Sequence, residues 1–581
     1  MLTYAIDFET FYSKQVSVTT LGMDAYLAHP LCDIYMVGIY SQEGEYAYVG
    51  PPAQADWVRL NGQHLVAHNS AFDKACFDRL QREGVIPADI QCEWDCTADL
   101  SVFLGAGRSL KEAAHTLLGL DISKQVRADM KGKTYMDAQL EGMADDLGKY
   151  CLGDAKLSYL LWANYAARWP EWERQLSRHT RAMCRHGVAI DREALDKGLQ
   201  TLGEVMADAL QRLPWADTAP PLSPAALRKE CAKVGIPAPK SLAEDSEDCA
   251  AWEADYGARV PWVAGMRDFR KSNTLHKKLK TMESRLTPEG TFPFGLKYFG
   301  AHTGRWSGDA GYNVQNLPRV EMYGVDLRAM IVPRPGHVFV VSDLGQIEQR
   351  VLSWLAGDNR MMEVLATGVS VYEAHARATM GWTGGELKHE NPGLYRLAKS
   401  RVLGLGYGAG ASVFVKIAKI MAGLDISPSQ AEQVVAEFRR TNPLILDLWR
   451  KLDNAFRAHE GKDFELPLPS GRSLVYRGIR KAPKGYSAEV QGKRVSFFGG
   501  KLAENLTSAT ARDVLGFIIL RLESAGYKVV MHVHDEVVVE VPVEQAGTAK
   551  DAIHALMTEN PPWLEGLPLT AETFVTDHYT K

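Results

Sequence analysis

The sequence predicts a mixed fold, with an α/β domain at the front and a larger α+β region behind it. Three observations predict it. Short strand-like runs alternate with helical patterns from residue 1 to about residue 165, the order from which layered α/β sheets are built. Val338-Phe339-Val340-Val341-Ser342-Asp343 reads as a buried-type strand that ends on a carboxylate. The runs Tyr527–Met531 and Val537–Val541 read as a hairpin whose short polar tip, His532 to Glu536, carries Asp535. Two strand-end carboxylates that met in space would form an oxygen-rich site of the kind magnesium takes.

The first segment supplies its own acidic groups. Leu2–Ile6 reads as a strand with Asp7-Phe8-Glu9 at its end, and Ile34–Tyr40 and Glu45–Val49 continue a sheet. Leu65-Val66-Ala67 is a further strand, followed by Asn69-Ser70-Ala71-Phe72-Asp73 and a helix through Leu80. Ser109 caps a helix, and a final helix carries Tyr150 and Asp154. Residues two apart on a strand share a face, as do residues four apart on a helix, so Asp7 pairs with Glu9 and Tyr150 with Asp154. Four carboxylates and a phenol could hold two metal ions and orient water against a phosphodiester.

The middle of the chain is less informative. Trp169-Pro170 interrupts the helical pattern and marks a border, and Gly187-Val188-Ala189-Ile190-Asp191 opens a new helix capped by Asp191. Residues 214–262 are proline-rich and read as short helices and loops. Arg267, Arg270, Lys271, Lys277, Lys278, Lys280 and Arg285 then place a run of cations where a helical face could neutralise backbone phosphates. Tyr298–Gly308, with Arg305, and Asn313–Arg319, with Gln315 and Asn316, are dense in glycine, hydroxyl and amide groups suited to sugar, phosphate and minor-groove contacts.

Beyond Asp343, Ile347, Val351, Leu352 and Leu355 form one apolar helix face, leaving Glu348 free to face a ligand. Arg396, Lys399, Leu403 and Tyr407 fall within about 80° of one another on a second helix, a face suited to a triphosphate at one end and a base at the other. Gly406-x-Gly408-x-x-Ala411 follows a charged helix and not a strand, which argues against a dinucleotide-binding loop.

Composition narrows the class. A chain of 581 residues suggests three or four domains at roughly 150 residues each. The net charge of −5 argues against a wholly basic surface while leaving room for local basic patches. Eight cysteines without zinc spacing read as reduced, buried thiols. No signal peptide or membrane-length apolar run is evident, so a soluble, cytoplasmic protein is expected.

Asp7-Phe8-Glu9, Asn69–Asp73 and Tyr150-Cys151-Leu152-Gly153-Asp154 resemble the three motifs of DEDD-type 3′→5′ proofreading exonucleases in their tyrosine-bearing branch. Thr303-Gly304-Arg305 with Asn313–Pro318, Asp343 through Arg350, Lys399-x-x-x-Leu403-Gly404-x-x-Tyr407-Gly408, and His534-Asp535-Glu536 resemble family A DNA polymerases of the compact phage type. The resemblance implies a ribonuclease-H-like exonuclease domain over residues 1–165. It implies a right-hand polymerase over 175–581, with thumb about 190–300, palm about 301–360 and 460–581, and fingers about 361–459. Template-directed DNA synthesis with proofreading is the implied activity, through two magnesium ions per site with manganese as a substitute.

The same resemblance distributes roles. Asp343 and Asp535 would hold metal in the palm, and Asp7, Glu9, Asp73 and Asp154 in the exonuclease, with Tyr150 positioning the water. Lys399 and Arg396 would contact the triphosphate, with Lys399 also placed to protonate the leaving group. Tyr407, Leu403, Gln346 and Tyr372 would border the nucleotide, and Glu348 would block a ribose 2′-hydroxyl. His534 would hold the primer end. Arg305, Gln315, Asn316, Arg472 and Lys277, Lys278 and Lys280 would contact DNA. The implied partners are primer-template DNA and deoxynucleoside triphosphates, for a monomer whose processivity factor, if any, is unknown.

Departures from the family pattern leave an alternative open. Tyr395 stands where arginine is common, Leu403 where an aromatic stacks, Gly345 for serine, Ser508 for glutamine and Tyr372 for histidine. An exonuclease whose degenerate polymerase half only binds DNA is one rival, and an RNA-synthesising enzyme, disfavoured by Glu348, is another.

Overall fold

Apolar and polar residues alternate along Thr3–Thr10 (β1), and the alternation decides what each face of the first sheet does. Tyr4, Ile6 and Phe8 enter a core with Val37, Ile39, Leu65, Phe77 and Trp94, so Asp7 and Glu9 face the other way. Ile34–Ser41 (β2), Tyr46–Gly50 (β3), His64–Ala67 (β4) and Glu93–Cys96 (β5) complete a sheet in the order β3-β2-β1-β4-β5. β1–β2 and β2–β3 are antiparallel, while β1–β4 and β4–β5 are parallel. Helix Ser70–Arg82 (α1) follows β4, and the short helix Gln125–Asp129 (α2) precedes the long Ala144–Tyr165 (α3), which lies on β1 and β2.

The structure, a computed structural model, describes all residues except 244, 245, 310, 484 and 581, and the side chain of residue 247. They form two units: Met1–Arg185 with Gly295–Gly311 and Val340–Val575, and His186–Phe294 with Tyr312–Phe339 and Thr576–Lys581. Glu171–His186 (α4) ends the first stretch of the first unit, and its charges are spent internally. Arg174 and Arg178 pair with the buried Asp95, Arg181 and Ser177 with Asp99, and Glu173 with Arg512. Arg108 completes the set through Asp99 and the Tyr298 carbonyl.

The second unit begins with a short strand, Val188–Ile190 (β6), where a helix start was expected; the helix Arg192–Gln211 (α5) follows with Asp191 as its cap, as its sequence suggested. α5 packs along Pro261–Ser284 (α6), while Trp215, Trp252 and Trp262 share a separate small core. Thr291–Phe292 (β7) and Ile331–Val332 (β8) flank β6.

His337–Leu344 (β9) carries Asp343 near its end and leads to helix Ile347–Leu355 (α7). Helices fill residues 359–457, among them Val371–Thr379 (α8) and Pro392–Leu405 (α9). An antiparallel sheet of Phe464–Pro467 (β10), Ser473–Ala482 (β11), Gly485–Val490 (β12) and Lys493–Phe497 (β13) comes next. Helix Gly499–Ser524 (α10) then packs beside Lys528–Val533 (β14). Glu536–Pro542 (β15) and Ala571–Thr576 (β16) finish a sheet in the order β14-β15-β9-β16. Among the described residues no helix is long and apolar enough to cross a membrane, and all eight cysteines are free.

Two candidate carboxylate sites

The first site forms where β1 meets α3. Asp7 pairs with Gly38 across β1–β2, and α3 crosses directly over Gly38, where a Cβ would lie 2.9 Å from the Cys151 carbonyl oxygen. Glycine therefore lets the helix settle close enough to bring Tyr150 and Asp154 over Asp7 and Glu9. Asp73, on α1, accepts a hydrogen bond from the Phe8 amide at 3.1 Å, which ties it to β1 between the other two carboxylates. Donor atoms of Asp7, Glu9 and Cys151 lie within 4.8 Å of one another.

Electrostatics mark this as one cluster. Burial pushes the Asp7 carboxyl well up, and Glu9, Asp154 and Asp73 push it further. Burial also raises Glu9 and Asp73, against the Arg127 guanidinium in the first case and the Phe8 amide in the second. Carboxylates that repel one another in a low-dielectric site resist ionising unless a cation joins them, and oxygen donors at this spacing suit a hard divalent ion. Lys124, just before α2, donates to Asp154 at 2.5 Å and to the Tyr150 hydroxyl at 3.0 Å. Nothing in the sequence pattern pointed to it.

The second site forms between β9 and the β14–β15 turn. The Leu344 amide donates to the Asp535 carbonyl at 3.1 Å, so the residues at 343 and 535 lie side by side on adjacent elements. The hairpin is tighter than its sequence suggested. Val533 pairs with Glu536, leaving a two-residue turn of His534 and Asp535 with His534 at φ 56°. His532 and Glu536 are strand residues and buried, because the strands are covered on both faces up to the turn, where neighbouring Val533 and Val537 are buried too. Burial raises the Asp535 carboxyl; Arg305 opposes this, while Glu348 and Asp343 add to it. Arg305 bridges Glu348 at 2.8 Å and Asp535 at 3.2 Å.

Other anticipated residues find varied places. Arg396 is exposed and Lys399, Leu403 and Tyr407 are half-exposed along one face from α9 into the turn after it. The Glu348 charge bears on the Tyr407 hydroxyl, which burial already raises. The Gln346 side chain accepts from the Val371 amide at 2.9 Å and so caps the start of α8. Tyr372 is buried, edge-on to Tyr395 at 5.6 Å. Gly345 fits its setting: a Cβ there would lie 2.4 Å from the Thr570 hydroxyl.

Arg472 departs from expectation. Its side chain is 0% exposed, bonded to Asp513 at 2.8 Å and to the Thr303 carbonyl at 2.7 Å, so it braces the Arg305 loop from within and does not reach the surface to touch a duplex. A guanidinium buried beside a carboxylate is costly to strand, so the Asp513 pairing holds Arg472 in the interior. Gln315 is buried and Asn316 exposed in the second unit, where Lys277 and Lys280 are exposed and Lys278 half-exposed on α6. There the basic run is thinned by ion pairs, Arg270 to Glu253 and Lys280 to Glu283.

With the geometry in place, comparison decides the family. The model for DNA polymerase family A matches residues 256–581, more than half of the chain. The chain belongs to DNA polymerase family A. The DNA polymerase of Bacillus phage SP02 is 28% identical over 663 aligned residues, covering 100% of each chain. DNA polymerase I of Aquifex aeolicus is 26% identical, with 90% of this chain and 89% of that one aligned. The family A fold extends to a solved structure, the POL domain of Pol1 from M. smegmatis in complex with DNA primer-template and dNTP. It matches with a TM-score of 0.69 at 16% identity, covering 99% of this chain and 95% of that one. The fold class expected from the sequence, an α/β domain followed by an α+β polymerase fold, is therefore the one observed.

Proposed function

We propose that this chain copies a DNA template from deoxynucleoside triphosphates and removes mispaired 3′ nucleotides at a second site. The observation that carries the synthetic half is the backbone bond between Leu344 and Asp535, which sets two acidic residues side by side in a family A fold. Asp343 and Asp535 would hold divalent ions there, and Asp7, Glu9, Asp73 and Asp154 in the N-terminal site. Magnesium, or manganese in its place, supplies Lewis-acid activation of the nucleophile and neutralises phosphate charge when bound.

The chain's own residues do the rest. Lys399 and Arg396 bind the triphosphate as it enters, Leu403 and Tyr407 border the base, and Glu348 crowds a 2′-hydroxyl. Gln346 and Tyr372 shape this wall from behind, and His534 steadies the primer end. Lys277, Lys278, Lys280, Asn316 and Arg305 neutralise or hydrogen-bond the DNA. Tyr150 orients water against the terminal phosphodiester. In this reading residues 1–165 are the exonuclease domain and 175–581 the polymerase, acting as a monomer.

Primer extension on a defined template tests both halves. D343N or D535N abolishes extension and leaves 3′ degradation, and D7A does the reverse. Equal loss of both activities in each variant would sink the division into two sites.

A further inference from the structure

The N-terminal carboxylate cluster is accompanied by two cations from one helical turn. Lys124 and Arg127 stand three residues apart at the start of α2, and residues at that spacing share a helix face. The Lys124 ammonium reaches Asp154 at 2.5 Å and the Tyr150 hydroxyl at 3.0 Å, and lies 4.8 Å from the centre of the Tyr150 ring. Arg127 is solvent-exposed, yet its charge acts on Glu9 more than on any other carboxylate. The Lys124 side chain is 29% exposed, so it is not sealed into the core and can follow a ligand.

We propose that Lys124 is a phosphate-binding residue of the exonuclease site, with Arg127 as a second contact one turn on. The inference rests on the nuclease reading given above. An ammonium donates only, so the Tyr150 oxygen accepts from Lys124 and the phenolic hydrogen is aimed elsewhere. The same ammonium therefore orients Tyr150 and stands beside the place where a terminal phosphodiester must lie to be reached by that phenol. In hydrolysis the water oxygen joins phosphorus and gives up a proton, the P–O3′ bond breaks, and the released 3′-oxygen takes up a proton. Negative charge spreads over the non-bridging oxygens meanwhile, and a mobile cation at their edge stabilises it. A counter-ion serving only Asp154 needs neither the exposure of Lys124 nor a second cation on the same face.

The test uses the full chain and a 3′-labelled single-stranded oligonucleotide. K124Q lowers degradation ten- to a hundredfold while primer extension stays unchanged, and K124R restores most of it. The log–log dependence of kcat/KM on salt falls by about 0.7 in K124Q and again in K124Q/R127Q, as expected for each lost contact to a single strand. Binding of thymidine 5′-monophosphate with calcium present, read by calorimetry against D7A as the blank, weakens at least fivefold in K124Q. Wild-type degradation with an unchanged salt slope and nucleotide affinity in K124Q overturns the inference and leaves the nuclease reading standing. A wild-type chain that degrades nothing overturns both.

Discussion

Gly38 sits beneath Cys151, so close that a Cβ at position 38 would lie 2.9 Å from the Cys151 carbonyl oxygen and 3.1 Å from its sulfur. Backbone, unlike the end of a side chain, cannot step aside. G38V would lift α3 off β2 and carry Tyr150 and Asp154 away from Asp7, which pairs with Gly38 across the sheet. Overpacking of this kind costs about 1–3 kcal/mol. The expected outcome is at least a tenfold loss of 3′ degradation with primer extension retained, measured side by side on one labelled primer.

Glu348 is held by Arg305 at 2.8 Å, and Arg305 also reaches Asp535 at 3.2 Å. E348A removes one of two anions sharing that guanidinium and opens the wall next to Tyr407. Competition between a ribonucleotide and its deoxy counterpart should then shift toward the ribonucleotide by tenfold or more, with slower deoxynucleotide addition. An unchanged preference would show that Glu348 does not face the sugar.

The legible parts of this molecule were those where a local period fixes a face. Asp7 and Glu9 at a two-residue spacing, and Tyr150 and Asp154 at four, needed only strand and helix geometry to be paired. The adjacency of β9 and the β14–β15 turn followed from family motif order, not from any period. Lys124 was not legible, because a lone lysine beside a five-residue helix looks like any surface lysine until the carboxylates it meets are in place. Arg472 misled for the opposite reason: charged residues read as surface, yet it is paired with Asp513 inside the protein. The β10–β13 sheet was not legible because Ser473–Ala482 does not alternate: Leu474, Val475 and Tyr476 are buried in succession, and the register shifts between Arg477 and Arg480.

Arg512 and Glu173 form a fully buried pair at 2.5 Å, and Tyr298 donates to the same carboxylate at 2.6 Å. The pair links α4 to α10 through the interior of the first unit. Removing one partner strands a charge in a low-dielectric setting, which costs about 3–5 kcal/mol. R512A should lower the thermal midpoint sharply and bring down extension and degradation together on mild warming. E173Q, which keeps the shape and still accepts one bond, should cost less; scanning calorimetry on the three proteins gives the ranking.

Acid should weaken the chain through histidines that fold neutral. Burial pushes His375 down to about 3, and nearby Arg401 and Arg360 add to it. The ring packs against Phe438 at 5.7 Å and lies 3.2 Å from the Thr379 hydroxyl. Its pKa in the unfolded chain is about 6.5. Between those two values the unfolded state binds a proton that the folded state refuses, so stability from this residue is full above about 6.5 and falls as pH drops toward 3. Each pH unit inside that window costs about 1.4 kcal/mol, or about 2 kcal/mol from pH 6.5 to 5. His68, His302 and His532 are shifted the same way, each chiefly by burial. The metal-free carboxylates Asp7, Glu9 and Asp73 oppose the trend, because their raised values make the folded state gain protons as pH falls. H375Q removes one histidine from the balance without touching either carboxylate site. Its thermal midpoint should therefore decline less than that of the wild type between pH 7 and pH 5. Parallel declines in the two proteins would mean that His375 takes up its proton without unfolding.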